Sequence, residues 1–358
     1  MSVRITLTDS HMPPSEQFIE FLDAWLAGLE FDGSSWAKHK FERPPTIGAY
    51  AAPDRAVARV AGSAAGMRYL ARAYELFAAL LVGEIDAIRQ LQEQFRFILV
   101  VGAPRSGGKY LTKELFRALG HDPLRVPAVL AHDGFPEAGP WRFDRLGNGW
   151  IESLHTMAEY LVMVELFFQS SSRQGPQVSV PKKATKAVYA PGLFQDILGG
   201  ECIITVRHPV PSCISTYETA GGLAADHRFT QRNNIEILWA RDLLSAGLSQ
   251  AEIEDMDYFD AYLRYWEDYH VRLAMSGLAS GRGCRVVAYG EQPVMDEARR
   301  IASRFGAPTS AVEQFHVSDR RDLHPDWVAR AEPALRRTDE QWTRVGLKFP
   351  LAEITECW

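Results

Sequence analysis

The sequence has few cysteines and no long apolar run. Its four cysteines are widely separated, without paired spacing: Cys202, Cys213, Cys284 and Cys357. This excludes a disulfide framework and a cysteine zinc site, and indicates reduced thiols. The longest apolar run, residues 160–168, contains Glu165 and is too short to cross a bilayer. No charged segment followed by an apolar stretch opens the chain, so we expect no signal peptide and a cytoplasmic protein.

An excess of basic charge is also absent. The net charge is −6, and this predicts no broad binding to nucleic acid or to an acidic membrane surface. Internal repeats and low-complexity segments are missing as well. What is present is 46% hydrophobic residues in a chain of 358. That composition supports one large α/β domain with additions or two small domains, and it does not indicate an oligomeric state.

A strand, a glycine-rich turn and a helix follow one another from residue 98. Residues 98–101 form an apolar run typical of a strand buried on both faces of a parallel sheet. The turn reads Gly-Ala-Pro-Arg-Ser-Gly-Gly-Lys over residues 102–109, and apolar residues at helical spacing follow as far as Leu119. Gly120 is well placed to end that helix. Such a unit directs backbone N–H groups from a helix start and predicts a phosphate or sulfate site.

The turn does not match the common nucleotide motifs. A nucleoside-triphosphate P-loop requires Lys where Gly108 stands; read one residue later, Tyr110 replaces the Ser or Thr that contacts magnesium. No dinucleotide fingerprint is present either. Residues 104–107, Pro-Arg-Ser-Gly, instead resemble the 5′-phosphosulfate loop of the sulfotransferases that use 3′-phosphoadenosine 5′-phosphosulfate (PAPS). In that family two hydroxyl residues usually follow, and here Gly108 and Lys109 replace them.

A second segment carries the same resemblance. Residues 201–206 predict a buried strand that leads directly into Arg207. In the sulfotransferases, an Arg after such a strand and a Ser eight positions later hold the 3′-phosphate of the nucleotide, and Arg207 and Ser215 stand at this spacing. A guanidinium can bind phosphate with two hydrogen bonds, and a hydroxyl at a helix start adds a donor. The resemblance covers about residues 95–300 in outline.

The resemblance implies an α/β fold, a P-loop-like three-layer sandwich with a central parallel sheet and a helical N-terminal extension. We expect the extension over residues 1–95 and the nucleotide-binding domain over 96–358. Within the extension, we expect a connector over about 31–59 and a long helix over about 64–94. Later, the pattern predicts a helix over about 151–170, a strand at 178–180 and a helix over about 190–198. The last two would form a right-handed crossover to the strand at 201–206.

The resemblance also implies an activity. A sulfuryl group would pass from PAPS to a hydroxyl or amine of a small-molecule or natural-product acceptor, and the product nucleotide would be adenosine 3′,5′-bisphosphate (PAP), with no metal required. Small-molecule acceptors, rather than nucleic acids or membranes, are the partners it implies. The residues that it assigns to the nucleotide are Pro104, Arg105, Ser106, Gly107, Gly108, Lys109, Tyr110, Arg207 and Ser215.

Five residues are candidates for the chemistry. Arg105 and Lys109 would supply positive charge at the loop, and Lys183, or its neighbour Lys182, would neutralise charge on the bridging oxygen. His132 and Asp133 are candidates for the base that removes the acceptor proton. If they have no catalytic role, the two lysines are simply an exposed basic strand end, and His132 and Asp133 lie in a solvated loop. We place Glu165 at a rim with its carboxylate in water.

Two alternatives stay open. An ATP-dependent P-loop phosphotransferase would need an acidic magnesium ligand after a strand, and neither Lys182 nor Arg207 supplies one. A non-catalytic protein with the sulfotransferase fold could bind a ligand or act as a scaffold. The arginines of the tail, including Arg336, Arg337 and Arg344, match the family's C-terminal loop poorly, and we assign them no role.

Overall fold

A computed structural model describes residues 13–29, 54–133, 135–136, 148–168, 177–232, 234–281 and 283–356. Its sheet consists of β1 (Phe95–Gly102), β2 (Val178–Lys183), β3 (Glu201–Val206) and β4 (Arg285–Ala288). The strand order is β2-β1-β3-β4, and every neighbouring pair is parallel. Because parallel strands all point the same way, the loops after β1, β2 and β3 emerge at the same edge of the sheet.

Helices surround this sheet. In the first half of the chain they are α1 (Glu16–Leu26), α2 (Asp54–Ala61), α3 (Ala64–Val82), α4 (Ile85–Gln94), α5 (Gly108–Ala118), α6 (Ala128–Ala131) and α7 (Asn148–Phe168). In the second half they are α8 (Pro209–Thr219), α9 (Asn234–Ser245), α10 (Gln250–Asp255), α11 (Tyr258–Met275), α12 (Glu291–Arg304), α13 (Pro325–Arg344) and α14 (Leu351–Glu356). Within the described ranges, no helix is both long and apolar enough to cross a membrane.

The two faces of β1 belong to two different cores. Phe97 and Leu99 point into the larger core, which also contains residues of α7 and α11. Ile98 and Val100 point into the smaller core, where they meet α5 and α12. This alternation is the period of two expected for a strand that is covered on both sides. The predicted α/β architecture, with a parallel sheet between two helical layers, is therefore confirmed.

Three sequence expectations about elements need correction. The helix predicted over 64–94 is two helices, because Gly83 adopts φ 69°, in the left-handed region, and ends α3. The expected connector over 31–59 gives way to α2 from Asp54; residues 30–53 lie outside the described residues. The helix predicted over 190–198 is a short π-helical turn, Leu193–Ile197, and a 3₁₀ helix that was not predicted, Thr185–Tyr189, precedes it. Pro191 separates the two, since a proline disfavours the helical conformation in the residue before it.

Strand β2 is longer than predicted and contains Pro181. Among the described strands, β2 lies at an edge of the sheet, where one side of the backbone has no partner strand and proline is tolerated. The strand therefore continues through Pro181 to Lys183. This extension brings both Lys182 and Lys183 into the strand, so that their side chains alternate between its two faces.

The helices before β1 pack into the same larger core as the sheet. Phe18 of α1 and Phe77 of α3 are fully buried there, and α3 packs against α7. On α7, Glu165 forms an ion pair with Arg72 of α3 at 3.0 Å. Glu165 therefore remains at a partly exposed position, but its carboxylate is paired with an arginine as well as facing water, because α3 packs on α7.

A buried carboxylate joins α1 to α7. Glu159 is 1% exposed and accepts hydrogen bonds from the backbone N–H of Ser15, at 2.8 Å, and from the Ser15 hydroxyl, at 2.5 Å. Burial raises the pKa of Glu159 to about 8, against the smaller opposing effect of these two hydrogen bonds. Nε2 of His155 lies 3.7 Å from this carboxylate, and burial lowers the pKa of His155 to about 4.

Candidate functional site

The loop between β1 and α5 is held in place by a hydrogen bond within the loop and by a contact to β3. The Ser106 hydroxyl donates to the carbonyl of Ala103 at 2.6 Å and lies 2.9 Å from the hydroxyl of Thr205. Gly102 is required at the end of β1, because a Cβ there would lie 2.2 Å from Oγ1 of Thr205. The loop therefore sits against β3 and leads into α5, whose first backbone N–H groups have no acceptor within the helix.

Two residues of this loop have left-handed backbone conformations. Arg105 has φ 69°, which is unusual for a residue other than glycine, and Gly107 has φ 87°. A Cβ on Gly107 would also approach Cδ2 of Tyr289 to 3.2 Å. The tight turn thus depends on a glycine at position 107. The backbone of Arg105 is strained, and contacts with neighbouring residues must stabilise it.

The loop after β1 and the turn after β3 are joined by two arginines. Nη1 of Arg207 donates to the backbone carbonyl of Arg105 at 3.0 Å. In return, Nε of Arg105 donates to Oγ of Ser215 at 2.9 Å. Ser215 lies in the middle of α8 rather than at a helix start, as the sequence had suggested, because α8 already begins at Pro209. Both turns therefore form one continuous surface at the carboxyl edge of the sheet.

The Arg207 side chain is buried with an unused donor. The residue is 5% exposed, and its guanidinium carbon stacks over the ring of Tyr289, 4.0 Å from the ring centroid. Its Nε is buried and has no hydrogen-bond partner in the described part of the chain. Desolvation lowers the pKa of Arg207, and the charges of Arg105 and Arg320 act in the same direction. A buried cationic donor in this state favours an anionic ligand.

Further positive charges lie around the loop. Burial lowers the pKa of Lys109, and the charges of Lys113, Arg105 and Lys183 lower it further. The pKa of Arg105 is lowered first by desolvation, and the charge of Arg320 contributes to this lowering. Besides Arg207, five cations therefore act on the loop or on one another: Arg105, Lys109, Lys113, Lys183 and Arg320.

Arg320 is a member of this group that sequence reasoning missed. It belongs to the segment after α12, forms an ion pair with Glu218 of α8, and contributes to the lowered pKa of both Arg105 and Arg207. The local sequence around it, Ser-Asp-Arg-Arg-Asp, is charged and without periodicity, so it offered no signal. Of the tail arginines that the sequence analysis considered, Arg336 and Arg337 form ion pairs with Glu332 and Glu267 instead.

Lys183 extends from the end of β2 to the start of α5. A Cβ on Gly108 would lie 3.4 Å from Cε of Lys183. The Lys183 ammonium contacts the carboxylate of Asp133 and donates to Oγ1 of Thr185 at 2.9 Å. The other oxygen of Asp133 accepts from the backbone N–H of Thr185 at 2.5 Å. Nδ1 of His132 lies 4.0 Å from Asp133. The structure thus brings His132, Asp133 and Lys183 together beside the loop.

The remaining sequence-predicted residues are placed differently. Lys182 points to the opposite face of β2 and away from the loop, since adjacent strand residues alternate. Pro104 lies within the loop. The Tyr110 hydroxyl donates to the carbonyl of Glu313 at 2.5 Å, and the Tyr110 ring packs against Phe315 with centroids 4.7 Å apart. Tyr110 therefore connects α5 to the segment that follows α12.

Over the described ranges, no group of three or more His, Cys, Asp or Glu side chains is arranged to hold a metal ion.

Comparison with known proteins gives a limited result. No family model matches the chain, and no curated protein matches it. Among solved structures, a sulfotransferase from Alicyclobacillus acidocaldarius is similar with 16% sequence identity and a TM-score of 0.38. The match covers 69% of this chain and 96% of the other.

Proposed function

We propose that the protein is a sulfotransferase that transfers a sulfuryl group from PAPS to a hydroxyl or amine of a small-molecule or natural-product acceptor. The observation that carries this proposal is the buried Nε of Arg207, which lacks a partner among the described residues. The same guanidinium donates a hydrogen bond to the carbonyl of Arg105 in the loop between β1 and α5 (residues 103–107), which we call the anion-binding loop. A nucleotide with phosphate groups at both its 5′ and 3′ positions would satisfy the loop and the guanidinium at the same time.

The nucleotide is held from two sides in this proposal. Backbone N–H groups of residues 106–109 bind the 5′-phosphosulfate at the positive end of α5. Arg207 binds the 3′-phosphate through its unused Nε, and Ser215 donates its hydroxyl hydrogen while its oxygen accepts from Arg105. Arg105 and Lys109 add positive charge along the loop. The lowered pKa values of these cations reflect repulsion and desolvation that bound anions would relieve.

The transfer is an in-line displacement at sulfur. The acceptor oxygen or nitrogen forms a bond to sulfur as the bond from sulfur to the bridging oxygen breaks, and the electron pair of that bond leaves with PAP. Lys183, held beside the start of α5, neutralises the charge that develops on the bridging oxygen. The acceptor proton passes to a base. Both oxygens of Asp133 already accept hydrogen bonds, which favours the His132 imidazole for this role.

The proposal is tested by calorimetry with PAP, and separately with ATP plus magnesium. The expected result is tight binding of PAP that a metal chelator does not change. A preference for ATP with magnesium would instead support a phosphotransferase. No binding of either nucleotide would support a non-catalytic protein. PAPS turnover in the presence of a panel of phenols, alcohols and amines would then identify the acceptor class.

A further inference from the structure

The two adjacent lysines at the end of β2 are both buried, yet they differ in their contacts. Lys183 is 7% exposed and reaches the carboxylate of Asp133. Lys182 is 1% exposed and lies on the opposite face of the strand, toward α6 and α7. An uncompensated ammonium at such a depth would carry a large desolvation penalty. The burial of the Lys182 ammonium therefore requires compensating contacts that an apolar core residue would not need.

Backbone carbonyls and one aromatic ring compensate the charge of Lys182. Its Nζ donates to the carbonyl of His132 at 2.8 Å, and the carbonyl of Phe135 lies within hydrogen-bonding distance on the same nitrogen. The carbonyls of Leu130 and Val129 lie at 3.3 and 3.4 Å. The ring of Tyr160 lies below the ammonium, with its centroid 4.6 Å away.

All four carbonyls belong to the short stretch that carries Asp133, which we call the Asp133 turn (residues 128–133, 135 and 136). The carbonyls of α6 and the residues after it converge on the Lys182 ammonium from both sides of Asp133. The Asp133 carboxylate in turn holds the Lys183 ammonium and the backbone N–H of Thr185. A continuous set of contacts thus leads from Lys182, through the Asp133 turn, to Lys183.

Burial lowers the pKa of Lys182 to about 7, and the nearby charges of Lys186 and Lys183 act in the same direction, while Asp133 acts against them. The four carbonyl oxygens and the face of Tyr160 favour the protonated form, since an ammonium has three N–H donors and, unlike a neutral amine, no lone pair to set against those oxygens. A methionine of similar length would fill the same space without any donor. The chain therefore places at this position a side chain whose particular property is multiple hydrogen-bond donation.

We propose that Lys182 is a positioning residue: its ammonium fixes the Asp133 turn, so that Asp133 can hold the Lys183 ammonium beside the anion-binding loop. The role of Lys183 at the sulfuryl group rests on the proposed function. The fixing of the turn by Lys182 rests only on the contacts described above.

The first test measures the order of the turn. Hydrogen–deuterium exchange is followed by mass spectrometry on the full-length protein, on Lys182→Met and on Lys348→Met, a control at a lysine whose side chain is 86% exposed. The expected result is faster exchange in peptides that cover residues 128–136 in Lys182→Met, with β1 and α3 unchanged. Unchanged exchange in the turn would overturn the proposal, and the control should match the unmodified protein.

The second test measures the effect on ligand binding. PAP lacks the sulfuryl group, so the ratio of PAPS to PAP affinity reports on the surroundings of that group. In Lys182→Met we expect PAPS affinity to fall roughly tenfold, the value of one hydrogen bond to a charged group, while PAP affinity stays within about twofold. Equal losses for PAPS and PAP would overturn the positioning role, because general damage to the fold weakens both.

The outcomes separate the two proposals. If the unmodified protein binds no PAP, the proposed function fails, and the exchange experiment alone still decides whether Lys182 fixes the turn. If Lys182→Met does not fold, Asp133→Asn replaces it in the binding experiment, since it breaks the next contact toward Lys183. Asp133→Asn is expected to show the same selective loss of PAPS affinity, and normal PAPS binding by this variant would overturn the proposal.

Discussion

The guanidinium of Arg207 donates a hydrogen bond to the backbone carbonyl of Arg105 across 3.0 Å, although 102 residues separate them in the chain. The accepting residue has φ 69°, a conformation that costs a residue with a Cβ about 1–2 kcal/mol. Arg207 thereby stabilises a strained loop with one nitrogen while its Nε remains available. One side chain links the two turns from which we infer the nucleotide site.

Replacing Arg207 with Ala should weaken binding of PAP far more than binding of adenosine 5′-phosphate. A hydrogen bond to a charged group contributes about 1.5–3 kcal/mol, so we expect a loss of roughly tenfold to hundredfold for PAP. Calorimetry with both nucleotides measures the difference. Arg337→Ala, which removes a surface ion pair with Glu267, is the control and should change neither affinity. Equal losses for both nucleotides would show that Arg207 does not recognise the 3′ group.

Replacing Lys183 with Met should reduce turnover much more than nucleotide binding. The ammonium would contact the phosphosulfate of bound PAPS and act most strongly on the charge that develops as the S–O bond breaks, so we expect PAPS turnover to fall by about a hundredfold or more. PAP affinity should change little, because PAP has no sulfuryl group. The measurement compares PAP release from PAPS with calorimetric PAP binding. A variant that keeps full turnover would remove Lys183 from the mechanism.

The two neighbouring glycines of the loop should respond differently to alanine. Gly107→Ala places a Cβ at φ 87° and 3.2 Å from the Tyr289 ring, so we expect a loss of about 1–2 kcal/mol in unfolding free energy and weaker PAP binding. At Gly108 the Cβ would make ordinary contacts at 3.4 and 3.6 Å, and alanine favours a helix. Gly108→Ala should therefore be at least as stable as the unmodified protein. Chemical denaturation of both variants checks this, and similar losses would contradict the loop conformation.

Replacing Glu159 with Gln should change how stability depends on pH. The pKa of Glu159 is raised from 4.5 to about 8 by folding, so the folded state loses stability as pH rises through that range. The pKa of His155 is lowered from 6.5 to about 4, so its contribution is lost only as pH falls below 6.5. Above pH 6.5 His155 no longer contributes, and other groups that titrate there, such as Lys182, cancel when the protein is compared with Glu159→Gln.

Between about pH 6.5 and 8.5, the unmodified protein should lose on the order of 2 kcal/mol of unfolding free energy relative to Glu159→Gln. Urea denaturation at several pH values measures this difference. Glu165→Gln, on the same helix, controls for removal of a carboxylate. A difference that stays constant across the range would show that the buried carboxyl of Glu159 does not titrate there.

Much of the fold followed from local patterns. The apolar run at 98–101 and the helical spacing after Gly107 are short-range signals, and β1 and α5 stand where these signals occur. Longer patterns were less reliable. The apolar stripe over 64–94 continues across Gly83, yet the left-handed conformation of that glycine divides it into α3 and α4. Periodicity records which face is buried, and it does not record where a single backbone conformation interrupts a helix.

For the candidate site, the sequence by itself determined the strand, turn and helix around residues 98–119 and the arginine that follows the strand at 201–206. Only the tertiary structure decided that Lys183 faces the loop while Lys182 faces a ring of carbonyls, because a shift of one residue along a strand exchanges its two faces. Only the tertiary structure brought Arg320 to Arg105 and left Nε of Arg207 buried without a partner in the described chain. The reason is physical: local spacing sets the conformation of a segment, whereas the packing of distant segments sets which polar atoms are satisfied.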